Sequence, residues 1–353
     1  MKRLGLMIGQ IGRMGGMEKQ AALLSRELVE RGMEVTLFVS GFPERAGKSG
    51  SLELGAIATK HLFHSRHAPL LGKQLLRVHC GLRRISHLIA FNVENVELAV
   101  SADLDVKLAM NVRGTKFSTD HLLAERYRRA AEKCDLVITN SSNTARLLQD
   151  AEIAEGKEIE IIHNGIELPP IQLSKRSDAV LYVGSLKQVK DPMTFVCACR
   201  GVIESGMDAR FIIAGDGKLK KEIETYIYSN GLSERFMLLG EVPYGEIPYR
   251  EASVFVNSSL RESSCNSLLE ALSFGIPVVA TDNQGNRSVL GGLNGHRLVP
   301  VSDSGEMSGA IRCLLEMDRE SRRAIFEESR ELIRSEYSVS GMVDRYIETF
   351  LGR

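Results

Sequence analysis

Two acidic residues and a predicted helix start lie close together in the segment 261–272. A strand is predicted to end near Ser258, the following loop carries Glu262, and a helix that begins near Asn266 carries Glu270. Backbone amides at a helix start attract anions, and carboxylates accept strong hydrogen bonds from hydroxyl groups. A site of this kind can hold a sugar and a ribose by their hydroxyls and a diphosphate by the helix amides. The alternative is that both carboxylates have structural partners only.

A second candidate is the glycine-rich loop 9–18, which follows the first predicted strand and precedes the predicted helix Lys19–Arg31. Its adjacent glycines, Gly15 and Gly16, allow backbone amides to approach an anion. The spacing is not GxGxxG, and no acidic residue follows the second predicted strand, Val35–Ser40. Both features argue against a dinucleotide site. Phosphate binding and a plain tight turn both stay open for this loop.

A third candidate is Lys190, which follows the strand-ending segment Val183–Leu186. A helix is predicted to begin just after it, because Asp191 suits the N-cap and Pro192 suits the first helical position. Lys190 would then stand at the rim of a sheet as a point charge for a phosphate. An ordinary surface lysine is the alternative.

The elements that position these loops are short apolar runs separated by helix-length segments, a pattern typical of parallel sheets with crossover helices. Six strands are predicted in each half of the 353-residue chain, near Leu4–Ile8, Val35–Ser40, Leu88–Phe91, Lys107–Val112, Leu136–Thr139, Ile159–His163, Val180–Gly184, Arg210–Ala214, Phe236–Leu239, Val254–Asn257, Pro277–Thr281 and His296–Val299. The pattern predicts an α/β protein with two Rossmann-like, doubly wound domains.

Two adjacent prolines, Pro169 and Pro170, mark the linker between the halves, because proline cannot continue a helix. We therefore predict a first domain at 1–168, a second at 169–335, and a C-terminal helix at 336–353 that packs back on the first domain. Ligands of open α/β sheets bind beyond the carboxyl ends of the strands. Both sheets are expected to turn those ends towards a central cleft.

Composition narrows the function classes. Basic and acidic residues both number 45, so the zero net charge gives no argument for a nucleic-acid partner. The six cysteines show no CxxC spacing, which favours reduced thiols over disulfides or a zinc site. The apolar run at the start is too short for a signal peptide, and no run reaches the length of a membrane span. A cytoplasmic protein is expected.

The order of these motifs resembles that of the retaining glycosyltransferases of family 4, which have the GT-B fold. The segment from Glu262 to Glu270 is similar to the E-x7-E motif, in particular to its form EGxPNxLLEA. The other matching motifs are GGME at 15–18, DLVITNS at 135–141, HNGI at 163–166, VGSL at 183–186, IAGDG at 213–217, GIPVVATD at 275–282 and NG at 294–295. The resemblance is strong from Cys134 to Pro300 and weak from about Ser40 to Leu122.

This resemblance implies roles in binding a nucleotide-sugar. Glu270 would hold the ribose and Glu262 the sugar hydroxyls, and Lys190 would hold the diphosphate together with amides of the helix starts. The base would lie near the segment 239–242. The full implied donor set is Gly15, Gly16, Gly184, Ser185, Lys190, Val242, Glu262, Asn266, Ser267, Leu268 and Glu270, with Glu262 and Lys190 as the catalytic pair. No metal and no cofactor are implied.

The family also implies the reaction. A UDP- or GDP-linked sugar would pass, with retention of configuration, to a saccharide acceptor, expected to be lipid-linked, in the assembly of a bacterial surface polysaccharide or lipopolysaccharide. The donor phosphate would accept the proton of the acceptor hydroxyl. Two alternatives stay open: a catalytically idle nucleotide-sugar-binding protein, and, more weakly supported, an NAD-dependent dehydrogenase.

Two positions depart from the family pattern. Ser185 stands where the family has arginine in V-G-R-L, so a phosphate contact is missing or comes from elsewhere, with Arg13, Arg261 and Arg287 as substitutes. The family histidine after a strand of the first domain is also absent. Asn111, Arg113 and Glu94 are the candidates to take its place, and the first two are expected on the acceptor side.

A basic segment, residues 60–84, predicts a surface partner. No acidic residue occurs between Glu53 and Glu94, and leucines alternate with lysines and arginines across the segment. This pattern is typical of a basic amphipathic helix at a membrane surface. We therefore expect peripheral docking on the anionic inner face of the cytoplasmic membrane. A solvated basic helix that covers the sheet is the alternative.

Overall fold

The computed structural model describes residues 2–9, 15–41, 57–62, 69–171 and 178–352. Contacts divide the chain into two compact units: unit 1 comprises Met1–Gly165 with Val339–Arg353, and unit 2 comprises Ile166–Ser338. Each unit contains one sheet in which every pair of neighbouring strands is parallel, and helices connect the strands. In the described ranges, no helix combines the length and the apolar character that crossing a membrane requires.

The sheet of unit 1 has seven strands in the order β3-β2-β1-β4-β5-β6-β7. They are β1 Arg3–Ile8, β2 Glu34–Val39, β3 Ala58–His61, β4 His87–Phe91, β5 Lys107–Val112, β6 Leu136–Thr139 and β7 Ile159–Ile161. The helices are α1 Gly16–Glu30, α2 Pro69–Arg83, α3 Val93–Ser101, α4 His121–Glu132, α5 Ser142–Asp150 and, after unit 2, α12 Val339–Tyr346, which a π-helical turn at Ile347–Leu351 continues.

Strand β3 corrects the sequence-based interpretation of the basic segment. Lys60 and His61 lie on β3, which pairs with β2, and only Pro69–Arg83 is helical, so residues 60–84 do not form one amphipathic helix. The strand escaped prediction because it is a four-residue strand at the sheet edge whose side chains are all only partly buried. Such a strand has no apolar run that could reveal it.

The sheet of unit 2 has six strands in the order β10-β9-β8-β11-β12-β13. They are β8 Ala179–Val183, β9 Arg210–Ala214, β10 Phe236–Gly240, β11 Ala252–Asn257, β12 Val278–Thr281 and β13 Arg297–Val299, which are the six strands predicted for this half. The helices are α6 Pro192–Glu204, α7 Lys220–Ser229, α8 Asn266–Ser273, α9 Gln284–Leu290, α10 Ser304–Glu316 and α11 Arg319–Glu336.

The inner strands of both sheets are covered on both faces, which explains why they are continuously apolar. In β11, Val254 and Val256 join one buried cluster while Phe255 joins another on the opposite face. In β4, Leu88 and Ile89 separate in the same way. Since successive side chains of a strand point to opposite faces, a strand with two buried faces shows no polar alternation.

Candidate functional site

An ion pair between Lys190 and Glu262 lies at the centre of the candidate site in unit 2. Lys190 Nζ is 2.5 Å from Glu262 Oε1, which also accepts a hydrogen bond from Ser259 Oγ at 2.7 Å. The Glu262 side chain is only 8% exposed, and that of Lys190 is 28% exposed. Burial lowers the pKa of Lys190, but the Glu262 carboxylate more than offsets this, so the pKa is raised above its ordinary value. Lys190 is therefore protonated at neutral pH.

Hydrogen bonds between two loops fix the positions of Lys190 and Glu262 relative to each other. Ser258 Oγ donates to the carbonyl oxygens of Lys190 and Asp191, at 3.0 and 2.8 Å, and the amide of Leu260 donates to the carbonyl of Val189 at 2.9 Å. Lys190 ends a short 3-10 helix directly before α6. Asp191 caps α6 in the left-handed backbone region, at φ 42°, a conformation that aspartate tolerates better than most residues. Hydrogen bonds thus fix the backbone on both sides of the ion pair.

A buried polar network supports the loop that carries Glu262. The carbonyl of Ser259 accepts hydrogen bonds from Thr281 Oγ1 at 2.5 Å and from Asn283 Nδ2 at 2.9 Å. Asn257 Oδ1 accepts from the amide of Ser259 and from Asn286 Nδ2. Buried polar groups that are paired in this way hold a unique geometry. The ends of β11 and β12 therefore set the position of the Glu262 carboxylate.

Helix α8 places Glu270 in the interior of unit 2. Glu270 is 4% exposed, and its Oε2 accepts a hydrogen bond from Tyr249 Oη at 2.6 Å. Burial, followed by the nearby Glu270 carboxylate, raises the pKa of Tyr249 well above its ordinary value, and the same two causes raise the pKa of Tyr244. Both tyrosines thus remain neutral hydroxyl groups beside Glu270. Tyr249 also stacks on Phe274, with ring centroids 5.1 Å apart.

The start of α8 contacts the end of β8. Cys265 is the N-cap residue, and its side chain makes no capping hydrogen bond. Ser267 Oγ donates to the carbonyl of Val183 at 3.0 Å, so the first turn of α8 lies against the strand that leads to Gly184 and Ser185. Burial raises the pKa of the Cys265 thiol to about 11, with Glu262 as the next cause. This thiol is therefore not a nucleophile at neutral pH.

The loops after β8 and β9 pack backbone against backbone. A Cβ at Gly215 would overlap the carbonyl oxygen of Gly184, and one at Gly217 would overlap that of Leu186. Gly184 donates its amide to the carbonyl of Ala214 at 3.0 Å. Glycine is required at 215 and 217 because any side chain would separate the two loops. The two remaining predicted contacts of this region, Ser185 and Val242, follow β8 and β10 and are both partly exposed.

At the start of α1 in unit 1, a carboxylate occupies the position expected for an anion. Gly15 is the N-cap residue, and a Cβ there would overlap Glu18 Oε2. Burial raises the pKa of Glu18, although hydrogen bonds from the amides of Glu18 and Gly15 oppose this. Glu18 therefore caps its own helix. Gly16, for which a diphosphate contact is predicted, is the first residue of this helix.

Asn111 and Arg113 come together at the end of β5, but only Arg113 is partly exposed. Asn111 is fully buried, and its amide nitrogen donates to Tyr346 Oη at 2.5 Å. Arg113 donates from Nε to Asn111 Oδ1 at 3.0 Å and from Nη2 to Tyr346 Oη at 2.9 Å. Glu94, the third predicted substitute for the family histidine, is instead paired with Arg126 at 3.3 Å.

The candidate substitutes for the missing arginine differ in availability. Arg287 forms a bidentate ion pair with Asp282, at 2.8 and 2.7 Å, whereas Arg261 is exposed. Arg13 lies outside the described residues. Within the part of the chain that the structure describes, no group of three or more His, Cys, Asp or Glu side chains could hold a metal ion.

Two family models match consecutive parts of the chain. The model described as Glycosyltransferase Family 4 matches residues 14–168, and the model described as Glycosyl transferases group 1 matches residues 167–332. Together they span both sheets. The chain belongs to the group 1, family 4-type glycosyltransferases. This confirms the family predicted from the motif order.

Solved and curated proteins agree with this membership. The structure is similar to that of HepE from Anabaena, which was solved in complex with UDP and glucose. The two chains are 16% identical, and the TM-score is 0.80 over 99% of this chain and 100% of HepE. This similarity and the two parallel sheets of the chain together confirm the GT-B fold. The Campylobacter jejuni N-acetylgalactosamine-N,N'-diacetylbacillosaminyl-diphospho-undecaprenol 4-alpha-N-acetylgalactosaminyltransferase is 29% identical over 198 residues, covering 53% of this chain and 52% of that enzyme.

A second curated relative is the Escherichia coli UDP-Gal:alpha-D-GlcNAc-diphosphoundecaprenol alpha-1,3-galactosyltransferase. It is 31% identical over 152 residues, covering 38% of this chain and 39% of that enzyme. The chain spans about half of the length of the curated relatives it matches.

Sequence reasoning missed the tyrosines beside Glu270 in this family 4-type chain. Tyr249 precedes Glu270 by 21 residues and lies in a separate 3-10 turn before β11. The signal that could have found it is an aromatic residue with a hydroxyl group directly before a buried strand, since a buried tyrosine needs a hydrogen-bond partner. Tyr182, on β8 below Gly184, was also missed, and its buried hydroxyl makes no hydrogen bond to any described residue.

Proposed function

We propose that the chain is a retaining glycosyltransferase that moves a sugar from a UDP- or GDP-linked donor to a lipid-linked saccharide acceptor in the assembly of a bacterial surface polysaccharide or lipopolysaccharide. The observation that carries the proposal is the buried Lys190–Glu262 pair beside the first turn of α8. It combines a cation and helix amides for a diphosphate with a carboxylate for hydroxyl groups. Two relatives whose names specify undecaprenol diphosphate acceptors support the acceptor class.

In the proposed reaction, the acceptor hydroxyl attacks the anomeric carbon on the face from which the nucleoside diphosphate leaves. The bond from that carbon to the diphosphate oxygen breaks, the new glycosidic bond forms, and the hydroxyl proton passes to a donor phosphate oxygen. Lys190 and the first-turn amides of α8 stabilise the charge on the departing diphosphate. Glu262 Oε2, which makes no hydrogen bond within the described residues, orients the sugar hydroxyls, and Glu270 orients the ribose.

A thermal-shift panel tests the donor. UDP, GDP, their sugars and NAD are each added at about 100 times a typical dissociation constant, which corresponds to about 2.7 kcal/mol of added stability for a true ligand. We expect stabilisation by one nucleotide-sugar series and none by NAD. Glu270→Gln should weaken that shift, and Glu224→Gln is the matched control, because Glu224 is exposed and lies on α7. Stabilisation by NAD alone would favour the dehydrogenase instead.

A turnover assay distinguishes an enzyme from a catalytically idle nucleotide-sugar-binding protein. That alternative is open because Ser185 replaces the family arginine. The wild type is incubated with the stabilising donor and a saccharide linked to farnesyl diphosphate, and the product is examined by NMR. We expect a product with the anomeric configuration of the donor, formed equally well in EDTA because Lys190 and helix amides supply the positive charge. Donor binding without product would support the idle binder. An inverted product or loss of activity in EDTA would contradict the proposed mechanism.

We also propose that α2 docks on an anionic membrane surface that carries the acceptor. One side of this helix is buried in unit 1, where Leu76 and Cys80 are packed. Four large apolar side chains on the helix are exposed, namely Leu70 at 71%, Leu71 at 45%, Val78 at 54% and Leu82 at 77%. Exposed leucines next to arginines suit the headgroup boundary of a bilayer. Arg83 and Arg84 supply charge, whereas Arg77 is already paired with Asp103. His64, Arg66 and His67 lie outside the described residues.

Vesicle co-sedimentation tests this surface. We expect binding to vesicles that contain phosphatidylglycerol, weaker binding to neutral vesicles, and a large loss in the variant Leu70→Ser/Leu82→Ser. Leu122→Ser is the matched control, because Leu122 is 82% exposed but lies on α4. Equal loss in the control, or unchanged binding in the α2 variant, would contradict docking by this helix.

A further inference from the structure

Two N–H groups of Arg113 donate to no residue that the structure describes. A guanidinium has five N–H groups. Three of them are used: Nε donates to Asn111 Oδ1 at 3.0 Å, Nη1 donates to Asn164 Oδ1, and Nη2 donates to Tyr346 Oη at 2.9 Å. Counted over the described residues, one N–H therefore remains on each terminal nitrogen. A guanidinium that keeps one N–H on each terminal nitrogen can donate to two oxygens of a phosphate.

No carboxylate of the residues that the structure describes neutralises the charge of Arg113. Its three hydrogen-bond partners are two amides and a phenol, and within the described ranges no Asp or Glu forms an ion pair with it. Arg31 and Arg126, in the same unit, each pair with two carboxylates. A partly buried cation held by neutral groups keeps its full attraction for an anion. Phe91 lies 5.3 Å from Arg113 Cζ and fixes the guanidinium against its ring.

Arg113 lies at the edge of the unit 1 sheet where ligands of such sheets bind. Arg113 follows β5 directly, and Asn164 follows β7, so both lie at the carboxyl edge of the parallel sheet of unit 1. Ligands of open α/β sheets bind at this edge. Two of the hydrogen-bond partners of the guanidinium, Asn111 and Asn164, are at most 3% exposed. Packing therefore fixes their positions.

We propose that Arg113 is the residue of unit 1 that binds the diphosphate of the acceptor. The inference rests on the proposed function, because it names the acceptor as a saccharide carried on a diphosphate. The chemistry requires a phosphate dianion or diphosphate with two oxygens free for the fork of N–H groups. The donor diphosphate is the other possible source of such a group, and the experiment separates the two.

Steady-state kinetics with two acceptors provides the main test. Both carry the same saccharide, one on farnesyl diphosphate and one on a neutral octyl group. Arg113→Gln should raise KM for the diphosphate acceptor about tenfold or more, as expected for loss of a charge-assisted bidentate contact. KM for the octyl acceptor and for the donor should change less than about twofold. An equal rise for both acceptors, or a rise confined to the donor, would overturn the assignment.

Direct binding provides a readout that does not depend on turnover. Farnesyl diphosphate is titrated into protein saturated with the nucleoside diphosphate that stabilises it most, so that the donor site is filled. Affinity should fall about tenfold in Arg113→Gln, and less in Arg113→Lys, which keeps the charge and loses the fork. Unchanged affinity in Arg113→Gln would refute the site. Binding that depends on Arg113 in a wild type without turnover would leave the site standing and refute the proposed function.

Discussion

Removing the charge of Lys190 should destabilise unit 2 strongly. In Lys190→Met, Glu262 keeps, among the described residues, only the hydrogen bond from Ser259, although its side chain is 8% exposed. Breaking a buried ion pair by removing one partner costs about 3–5 kcal/mol, and we expect about 3 because Lys190 itself retains contact with water. For a unit of this size that corresponds to a fall in Tm of about 6–12 °C.

A double-mutant cycle measures the coupling directly. Glu262→Gln should cost about 1–2 kcal/mol, because the amide oxygen still accepts a hydrogen bond from Lys190. The double variant should recover about 2 kcal/mol relative to Lys190→Met, since no charge is then left buried alone. The chain has no tryptophan, so unfolding is followed by circular dichroism. Lys187→Met, three residues away and exposed, is the matched control and should change stability by less than about 0.5 kcal/mol.

Nucleotide affinity gives the same cycle a functional readout. Lys190→Met should weaken binding of the preferred nucleoside diphosphate about tenfold or more, whereas Glu262→Gln should leave it equal or tighter because Lys190 is no longer neutralised. A Lys190→Met protein as stable as the wild type, or a cycle without coupling, would refute the burial argument. Equal weakening by both single variants would refute the assignment of the cation alone to the phosphate.

Three further outcomes are expected. Tyr249→Phe should lower stability by about 1–3 kcal/mol in thermal unfolding, because Glu270 loses a buried donor. Gly215→Ala should weaken nucleotide affinity by separating two loops, while Gly245→Ala, with open space around it, should not. Burial, followed by Arg297, lowers the pKa of His296 to about 4. The unfolded chain therefore binds its proton first, so stability should fall by up to about 3 kcal/mol as the pH drops from 6.5 to 4, and His296→Gln should remove this dependence.

Strands covered on both faces could be predicted from sequence because they consist of a continuous run of apolar residues. The four inner strands of unit 2, β8, β9, β11 and β12, are buried and apolar at their centres and were predicted. Strand β3 was not, because an edge strand with four partly buried residues has no such run. The α2 helix was predicted only as part of a longer basic segment, since charge along the chain does not show where a strand ends and a helix begins.

The candidate residues could be predicted, but their partners could not. Spacing along the chain places Glu270 on a helix eight residues after Glu262, and this is local information. The hydroxyl that holds Glu270 comes from Tyr249, 21 residues earlier, and the phenol that holds Arg113 comes from Tyr346, 233 residues later. No periodicity connects such pairs. They depend on which strands become neighbours, and the order β10-β9-β8-β11-β12-β13 is a property of the whole sheet.

The main consequence of the structure for the proposed function is that Lys190 and Glu262 do not act independently. The motif assigns a phosphate to the lysine and sugar hydroxyls to the carboxylate, but here each neutralises the other, 72 residues apart in the chain. In the proposed reaction, a donor diphosphate supplies Lys190 with the negative charge that Glu262 supplies here. The Glu262 carboxylate, released from the cation, then needs new hydrogen-bond donors because it is buried. In the proposed reaction the hydroxyls of the transferred sugar are such donors, and we expect binding of the diphosphate to be coupled to orientation of the sugar.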